Sequence, residues 1–360
     1  GPHRHQSSLM PMSRKSRALK KAGVGLTDVS TTISKLRGPA DVAAVIPYLL
    51  GFQPNESLVL VALEGPRKRF GPVLRIDLVD DRRTWELQLR QVLAGVRTNR
   101  MRLVIVATFS ADATLADSRT DLVLAALAEA NVALEDAFRT DGRRWWSYTC
   151  HNPMCCSPDG VAYDVGTSRV AAEAVLSGLT FEPDRDALRA RFAPVDERTR
   201  LTVASEVGRL RRTDPTILPG AASAMLGARV SRLTVQPEEL TPSDVAWLAL
   251  AVQSIRGQGS AFALVERAGA AGHFELWRAV MCRVADELLP PPGCLTAFSA
   301  WLDGRGVLAS HALDRVFEVA PRHPLAGSLM RLLTEVVDPR RWAEQMRPRP
   351  QGGAPPPLAG

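Results

Sequence analysis

Leu103-Val-Ile-Val-Ala-Thr-Phe109 is a nearly continuous apolar run that contains several β-branched residues. This composition is typical of a strand that is covered on both faces of a sheet. Two patterned segments precede it. Val73–Leu78 alternates apolar and polar residues as a strand does, and the apolar spacing over Thr84–Val96 is that of a helix. The order strand, helix, strand predicts a right-handed crossover between parallel strands.

The rest of the amino-terminal half continues this alternation. The further predicted elements are a helix over 39–50, a strand over 58–63, a helix over 120–131 and strands over 132–139 and 144–148. Gly51 fits the position just past a helix end, and Asp141-Gly142 fits a hairpin turn. We therefore predict a domain of α/β or α+β class over 31–160, with a mixed β-sheet and packed helices.

Helical patterns without strand alternation follow residue 160 and predict an all-helical domain over 161–338. The predicted helices cover 169–178, 185–192, 196–210, 241–255, 259–270, 273–288, 294–303, 306–319 and 323–337. Gly304–Pro321, with small residues at Ala309 and Ala312, resembles the second half of a tetratricopeptide repeat, which Cys294–Asp303 would precede. An ordinary helical hairpin explains the pattern equally well, because repeat arrays need about three units.

The net charge of +7 is concentrated at the two ends of the chain. Residues 1–21 carry six basic and no acidic side chains, and residues 339–360 carry four basic and one acidic, which leaves −2 for the remainder. We predict a disordered basic tail over 1–30 and a disordered Pro/Gly-rich tail over 339–360. Nucleic acid is therefore expected to interact only through the basic tails.

Several familiar sequence signals are absent. No apolar run is long enough for a membrane span, and the first residues lack the basic-then-apolar pattern of a signal peptide. We expect a cytoplasmic protein without membrane contact. The sequence contains no GxxxxGK[ST], GxGxxG, HExxH or GxSxG motif, so these motifs predict no cofactor and leave open whether the chain is an enzyme.

The most unusual local chemistry is a loop with three cysteines, Cys150, Cys155 and Cys156, which two tryptophans precede. Zinc takes four ligands in a tetrahedral arrangement, and adjacent cysteines are expected to point apart. A zinc site here is therefore expected to use Cys150, one of Cys155 and Cys156, and ligands from elsewhere in the chain. The same thiols could instead form a redox pair between Cys150 and either Cys155 or Cys156. The third alternative is structural, with small thiols packed beneath the tryptophans. The sequence leaves all three open.

Acidic residues follow the two strands that the predicted crossover connects. Asp80 and Asp81 follow the first strand, and Ser110, Asp112 and Asp117 follow the second. Because the carboxyl ends of parallel strands share a sheet edge, these acids are candidates for binding a ligand or a divalent cation there. Arg75 and Asp77, on one face of the first strand, are further candidates. The simpler explanation is that the acids are loop residues and helix caps and that the strand residues face solvent.

Several motifs together resemble a known family. They are Gly51-Phe52-Gln-Pro54-Asn-Glu-Ser57-Leu-Val-Leu60, Arg75-Ile-Asp77-Leu78, Trp145-Trp146-Ser-Tyr148 and Leu295-Thr-Ala-Phe298. With them the chain is similar over 31–338 to an uncharacterised, mainly actinobacterial family, domain of unknown function 4192 (DUF4192). The family carries no established activity, substrate or catalytic residue. The resemblance therefore implies kinship and not a mechanism.

Three hypotheses about function follow. The first is a non-catalytic interaction or regulatory protein whose helical half binds a protein partner, which the absence of catalytic motifs favours. The second is a small-molecule-binding or enzymatic domain that acts at the sheet edge through Arg75, Asp77, Asp80 and Asp112. The third is a metal or redox site at the cysteine loop.

Overall fold

A computed structural model of the chain describes residues 36–177, 179–217, 219–236, 240–335 and 337–339. The tails predicted over 1–30 and 339–360 lie outside the described residues, apart from residue 339. Within the described ranges, no helix combines the length and the apolarity needed to cross a membrane.

A six-stranded mixed sheet organises the amino-terminal half. Its strands are β1 (Ser57–Glu64), β2 (Arg69–Asp77), β3 (Leu103–Phe109), β4 (Ala133–Thr140), β5 (Arg144–Ser147) and β6 (Val161–Ala162). They lie side by side in the order β2-β1-β3-β4-β5-β6. The β3–β4 pair is parallel, and the other neighbouring pairs are antiparallel. The predicted mixed sheet is confirmed.

The crossover predicted between β2 and β3 is present, but strand β1 lies between its two ends. Ser57 at the start of β1 pairs with Asp77 at the end of β2 and with Phe109 at the end of β3. Since β1 is antiparallel to both, β2 and β3 run in the same direction. Phe109 in turn pairs with Thr140 at the end of β4. We call the edge marked by Ser57, Asp77, Phe109 and Thr140 the carboxyl edge of the sheet.

The carboxyl-terminal half is mostly helical, as predicted. The α-helices among the described residues are α1 (Pro39–Leu50), α2 (Arg82–Thr98), α3 (Ala113–Glu129), α4 (Arg169–Leu176), α5 (Arg185–Ala190), α6 (Glu197–Thr213), α7 (Pro219–Val235), α8 (Pro242–Ala251), α9 (Ile255–Ala263), α10 (Ala270–Met281), α11 (Pro290–Leu302), α12 (Gly306–Val319) and α13 (Pro324–Thr334). Strand β6 differs from the expectation, because it carries the sheet past residue 160 into the region predicted as all-helical.

The helix predicted over 259–270 is displaced toward the amino terminus. Helix α9 begins at Ile255 because the Ser254 side-chain oxygen accepts a 3.0 Å hydrogen bond from the backbone N–H of Gly257 and so caps the helix. Helix α10 begins at Ala270, whereas the sequence predicts that this helix begins at residue 273.

Strand β1 contributes to two hydrophobic cores. Leu58 and Leu60 pack on one face of the sheet with helices α2 and α3. Val59 and Val61 pack on the other face in a core that includes α1. All four side chains are fully buried. The sheet is therefore covered on both faces, as the apolar character of its central strands predicts.

The core that contains α1 continues into the helical half through Leu188 and Phe192. Every residue from Pro291 to Leu302 of α11 is buried, and α11 packs against both α10 and α12. A helix that is apolar on all sides lies at the centre of a bundle. The predicted pair of helices around Gly304 is present as α11 and α12, and its tetratricopeptide character stays a prediction.

Residues 182–195 connect the two halves, and we call them the connecting segment. At one end, Glu182 exchanges two backbone hydrogen bonds of 2.9 Å with the α/β part, donating to the Gly51 carbonyl and accepting from the N–H of Gln53. At the other end, the N–H of Val195 donates to the Cys282 carbonyl at 2.9 Å. The backbone of the segment is therefore bonded to both parts of the chain.

Gly257 permits a close approach that a side chain would prevent. A Cβ atom at Gly257 would lie 1.8 Å from the backbone oxygen of Ala251, whereas one at Gly259, in the same helix, would meet no atom within 4 Å. We expect Gly257→Ala to lower the free energy of unfolding by about 1–3 kcal/mol through overpacking. Gly259→Ala, the matched control, should raise it by up to about 1 kcal/mol. Urea unfolding measures both, and equal stabilities would contradict the close contact.

Candidate functional site

At the carboxyl edge, Arg75 and Asp77 form an ion pair. The Arg75 Nε–H donates a 3.0 Å hydrogen bond to the Ser57 hydroxyl, and its guanidinium carbon lies 5.3 Å from the centre of the Phe52 ring. Burial lowers the pKa of Arg75, and the neighbouring Asp77 carboxylate opposes that effect. The guanidinium is thus bound to protein groups on β1, on β2 and at the end of α1.

Asp77 has two further partners. Its carboxylate lies 3.6 Å from the guanidinium of Arg185 in α5, and its backbone N–H donates to the Gln88 side chain of α2 at 3.1 Å. The Arg75–Asp77 pair therefore joins β2, α2 and the connecting segment. This arrangement is that of a structural junction.

The two other acids proposed for this edge have separate environments. The Asp112 carboxylate accepts a 3.0 Å hydrogen bond from the Leu115 N–H and caps α3. Asp80 is exposed, and its backbone carbonyl accepts a 2.8 Å hydrogen bond from Arg119. Among the described residues, these carboxylates do not converge into a group that could hold a metal ion.

Sequence reasoning singled out Ser110 and Asp117 at this edge but missed Glu56 and Arg139. The Ser110 hydroxyl donates a 2.7 Å hydrogen bond to Glu56, whose backbone φ of 40° is unfavourable for a non-glycine residue. The Arg139 guanidinium stacks 3.9 Å from the Trp146 ring and lies 3.9 Å from the Asp117 carboxylate. No local pattern signals these contacts, because their partners lie on different strands and helices.

If the Arg75–Asp77 pair is structural, Asp77→Asn should destabilise the fold. The substitution leaves the mostly buried guanidinium without its full counter-charge. We expect the free energy of unfolding to fall by about 1–2 kcal/mol. This loss is smaller than that expected for a fully buried ion pair, because Asp77 is half exposed and solvent weakens its interaction with Arg75. Asp80→Asn, the control, should change it by less than about 0.5 kcal/mol. Chemical denaturation tests the pair, and equal stabilities would mean that Arg75 does not depend on Asp77.

The three cysteines lie in the segment that joins β5 to β6, residues 148–160, which we call the thiol loop. The Ser147 hydroxyl accepts the N–H of Cys150 at 2.9 Å. The backbone carbonyl of Asn152 accepts the N–H groups of both Cys155 and Cys156, at 3.1 and 2.8 Å. These bonds turn the chain back on itself so that Cys155 and Cys156 return toward Cys150.

The far end of the thiol loop is held against Trp146. The indole N–H of Trp146 donates to the Pro158 carbonyl at 3.1 Å, and Arg144 donates to the Gly160 carbonyl at 3.0 Å. Gly160 has a φ of 78°, and a Cβ atom there would lie 2.5 Å from the Trp146 ring. The tryptophan and the glycine of the sequence motif therefore fix the return of the loop to the sheet.

The three thiols form a compact cluster. Their Sγ atoms all lie within 4.8 Å of one another, with 3.0 Å between Cys150 and Cys155 and 3.7 Å between Cys155 and Cys156. All three are free cysteines; Cys155 is exposed, and the other two are partly buried. Among the described residues, this is the group whose ligand atoms converge as a metal ion requires.

The three thiols of the cluster differ in pKa because their surroundings differ. Hydrogen bonding, chiefly from Cys155, holds the pKa of Cys150 below its ordinary value. Burial, with hydrogen bonds to the other two thiols, raises the pKa of Cys156 to about 12. The first proton therefore leaves from Cys150, and its thiolate is stabilised by the neighbouring S–H donors.

The cluster and the carboxyl edge occupy different places on the sheet. Ser147 pairs with Phe138, so the chain leaves β5 toward the amino-terminal end of β4 and away from that edge. There the Thr149 hydroxyl donates to the Asp136 carboxylate at 3.0 Å, and burial raises the pKa of Asp136. The two sites that the sequence suggested are thus independent.

The helical half offers two open hollows on its surface. One is lined by residues of α6 that include Arg198, Leu201 and Ser205, and the other lies over Ala320–His323. Exposed apolar side chains at Leu176, Leu201 and Ile255 lie on three different helices. Partner binding by this half, which the sequence favours, stays a prediction.

The fold and the loop define a protein with a mixed α/β part, a helical part and a surface cluster of three thiols. The chain belongs to the family described as Domain of unknown function (DUF4192), whose model matches residues 39–340. This match confirms the resemblance seen in the sequence motifs. Neither a curated protein nor a solved structure matches the chain.

Proposed function

We propose that this protein binds one thiophilic metal ion, such as Zn²⁺, through the thiolates of Cys150, Cys155 and Cys156. The observation that carries the proposal is the convergence of the three Sγ atoms within 4.8 Å. Thiolates are soft ligands that suit zinc and monovalent copper. The Pro- and Gly-containing loop is held by backbone hydrogen bonds that do not involve the sulfur atoms.

The spacing of the thiols supports this chemistry. Zinc–sulfur bonds of about 2.3 Å in a tetrahedron place the sulfur atoms about 3.8 Å apart. The 3.7 Å between Cys155 and Cys156 matches that separation, and the 3.0 Å between Cys150 and Cys155 would widen on binding. Adjustment is local, because Cys155 lies at the exposed tip of the thiol loop.

Three protein ligands leave a fourth coordination position. Sites of this type hold water or an external ligand there, in contrast to closed structural sites with four protein ligands. Because the cluster lies in an exposed loop, its metal can exchange with solution. This is the behaviour expected of a regulatory metal site. Protein binding by the helical half is a separate proposal, supported by the exposed Leu201 beside the hollow on α6.

Metal content tests the proposal directly. We expect the purified chain to bind one Zn²⁺, and each of Cys150→Ser, Cys155→Ser and Cys156→Ser to weaken binding by about tenfold or more, because each removes a thiolate ligand. Cys282→Ala, which changes a buried cysteine outside the loop, is the control and should retain the wild-type affinity. Elemental analysis and competition with a chromogenic chelator give the stoichiometry and the affinity. Unchanged binding in all three serine variants would refute the site.

The affinity should fall steeply as the pH falls. Zinc must displace the protons of Cys155 and Cys156, since the pKa of both thiols is raised, whereas Cys150 ionises more readily. Displacement of these two protons corresponds to a rise of at least about 100-fold in the dissociation constant per unit decrease in pH. Chelator competition at pH 6.5 and 7.5 measures this slope. Cys156→Ser should make this dependence about tenfold weaker per pH unit, because it removes one protonated thiol, and an affinity that is independent of pH would argue against thiolate ligation.

A further inference from the structure

Cys150 and Cys155 of the thiol loop are close enough to form a disulfide after a small movement. The Sγ atoms of Cys150 and Cys155 are 3.0 Å apart, so a movement of about 1 Å would bring them to the S–S bond length. Cys155 is exposed, which gives a small oxidant access to the pair. Five positions separate the two residues along the chain, and the turn around Asn152 already closes that loop.

The alternative pairing of the adjacent cysteines is geometrically disfavoured. Neighbouring Cα atoms are about 3.8 Å apart across a trans peptide, which is shorter than the span of an ordinary disulfide. In the structure the sulfur atoms of Cys155 and Cys156 are also farther apart, at 3.7 Å. A Cys150–Cys156 disulfide is disfavoured because Cys156 is partly buried, whereas Cys155 is exposed and lies 3.0 Å from Cys150. We therefore expect oxidation to join Cys150 and Cys155 and to leave Cys156 as a free thiol.

We propose that the thiol loop is a peroxide-sensitive switch in which a Cys150–Cys155 disulfide releases the bound metal. In the first step, one thiolate attacks hydrogen peroxide, the O–O bond breaks, and sulfenic acid and hydroxide form. In the second, the other thiol displaces the sulfenic oxygen, which leaves as water when the S–S bond forms. In sum, two thiols and one peroxide give one disulfide and two waters. The metal part of this inference rests on the proposed function.

Release follows because the disulfide removes two of the three ligands at once, and Cys156 alone cannot retain the ion. The rest of the loop keeps its anchors. The Trp146 bond to Pro158 and the Arg144 bond to Gly160 involve no sulfur atom. The switch therefore changes the tip of the loop and leaves the sheet intact.

The test compares the zinc-loaded and zinc-free full chain during titration with hydrogen peroxide, followed by blocking of free thiols with N-ethylmaleimide and digestion with trypsin. No lysine or arginine lies between Arg144 and Arg169, so one peptide carries all three loop cysteines. Its fragmentation spectrum should show a Cys150–Cys155 disulfide and a single maleimide on Cys156. In parallel, a chromogenic chelator should report loss of nearly all bound zinc, and dithiothreitol should restore binding.

Variants separate the possible results. Cys155→Ser should lose the disulfide, whereas Cys282→Ala should behave as the wild type. If the protein binds no zinc and still forms the Cys150–Cys155 disulfide, the metal site and the metal-release step are refuted, and the redox pair is supported. Sulfinic acid at Cys150 without a disulfide, or zinc that stays bound after the disulfide forms, would overturn the switch. Far-ultraviolet circular dichroism should remain unchanged, and unfolding on oxidation would also contradict the local mechanism.

Discussion

Strand β1 must be buried on both faces, and the architecture around it follows from that requirement. Its side chains alternate between two cores, and each core needs a cover. Helices α2 and α3 cover one face, and α1 covers part of the other. The second core reaches Leu188 and Phe192 of the connecting segment and then the helical half. The burial of one strand thus links the sheet to the bundle.

The connecting segment fixes the two halves through its backbone as well as its side chains. The carbonyl of Arg191 accepts a 3.1 Å hydrogen bond from Arg278 of α10, and the Arg191 side chain lies 3.2 Å from Glu275 of the same helix. The Phe192 ring packs edge-on to Phe274. These contacts join the segment to α10, and the Arg75–Asp77–Arg185 contacts join it to the carboxyl edge. Arg75 and Asp77 therefore have partners within the fold, and ligand binding at that edge stays a prediction.

The sequence predicted the helices and strands well, but it predicted less well which of them lie side by side. The apolar run of β3, the glycine after α1 and the Asp141-Gly142 turn are local signals, and each has the expected structure. The insertion of β1 between β2 and β3 depends on pairing between distant segments, which no local pattern encodes. Helix α7 was missed because Ala, Gly and Ser dominate its first half and blur the periodicity of its buried Ala222, Leu226, Val230 and Leu233. For the thiol loop, the residue types were evident, but the turn around Asn152 that brings the thiols together was not.

The two outer strands of the sheet have a further consequence. On one side, β2 contains Pro72, which has no N–H to offer to another strand. On the other, β6 has only two residues, and β5 ends after four because the chain turns into the thiol loop. Pro72 interrupts the row of outward backbone groups along β2, and β6 is too short to offer a long one, whereas edge-to-edge aggregation requires such rows. The thiol loop, whatever it binds, thus also limits the length of β5 and β6 and, with it, the number of backbone groups that this border offers to another copy of the chain.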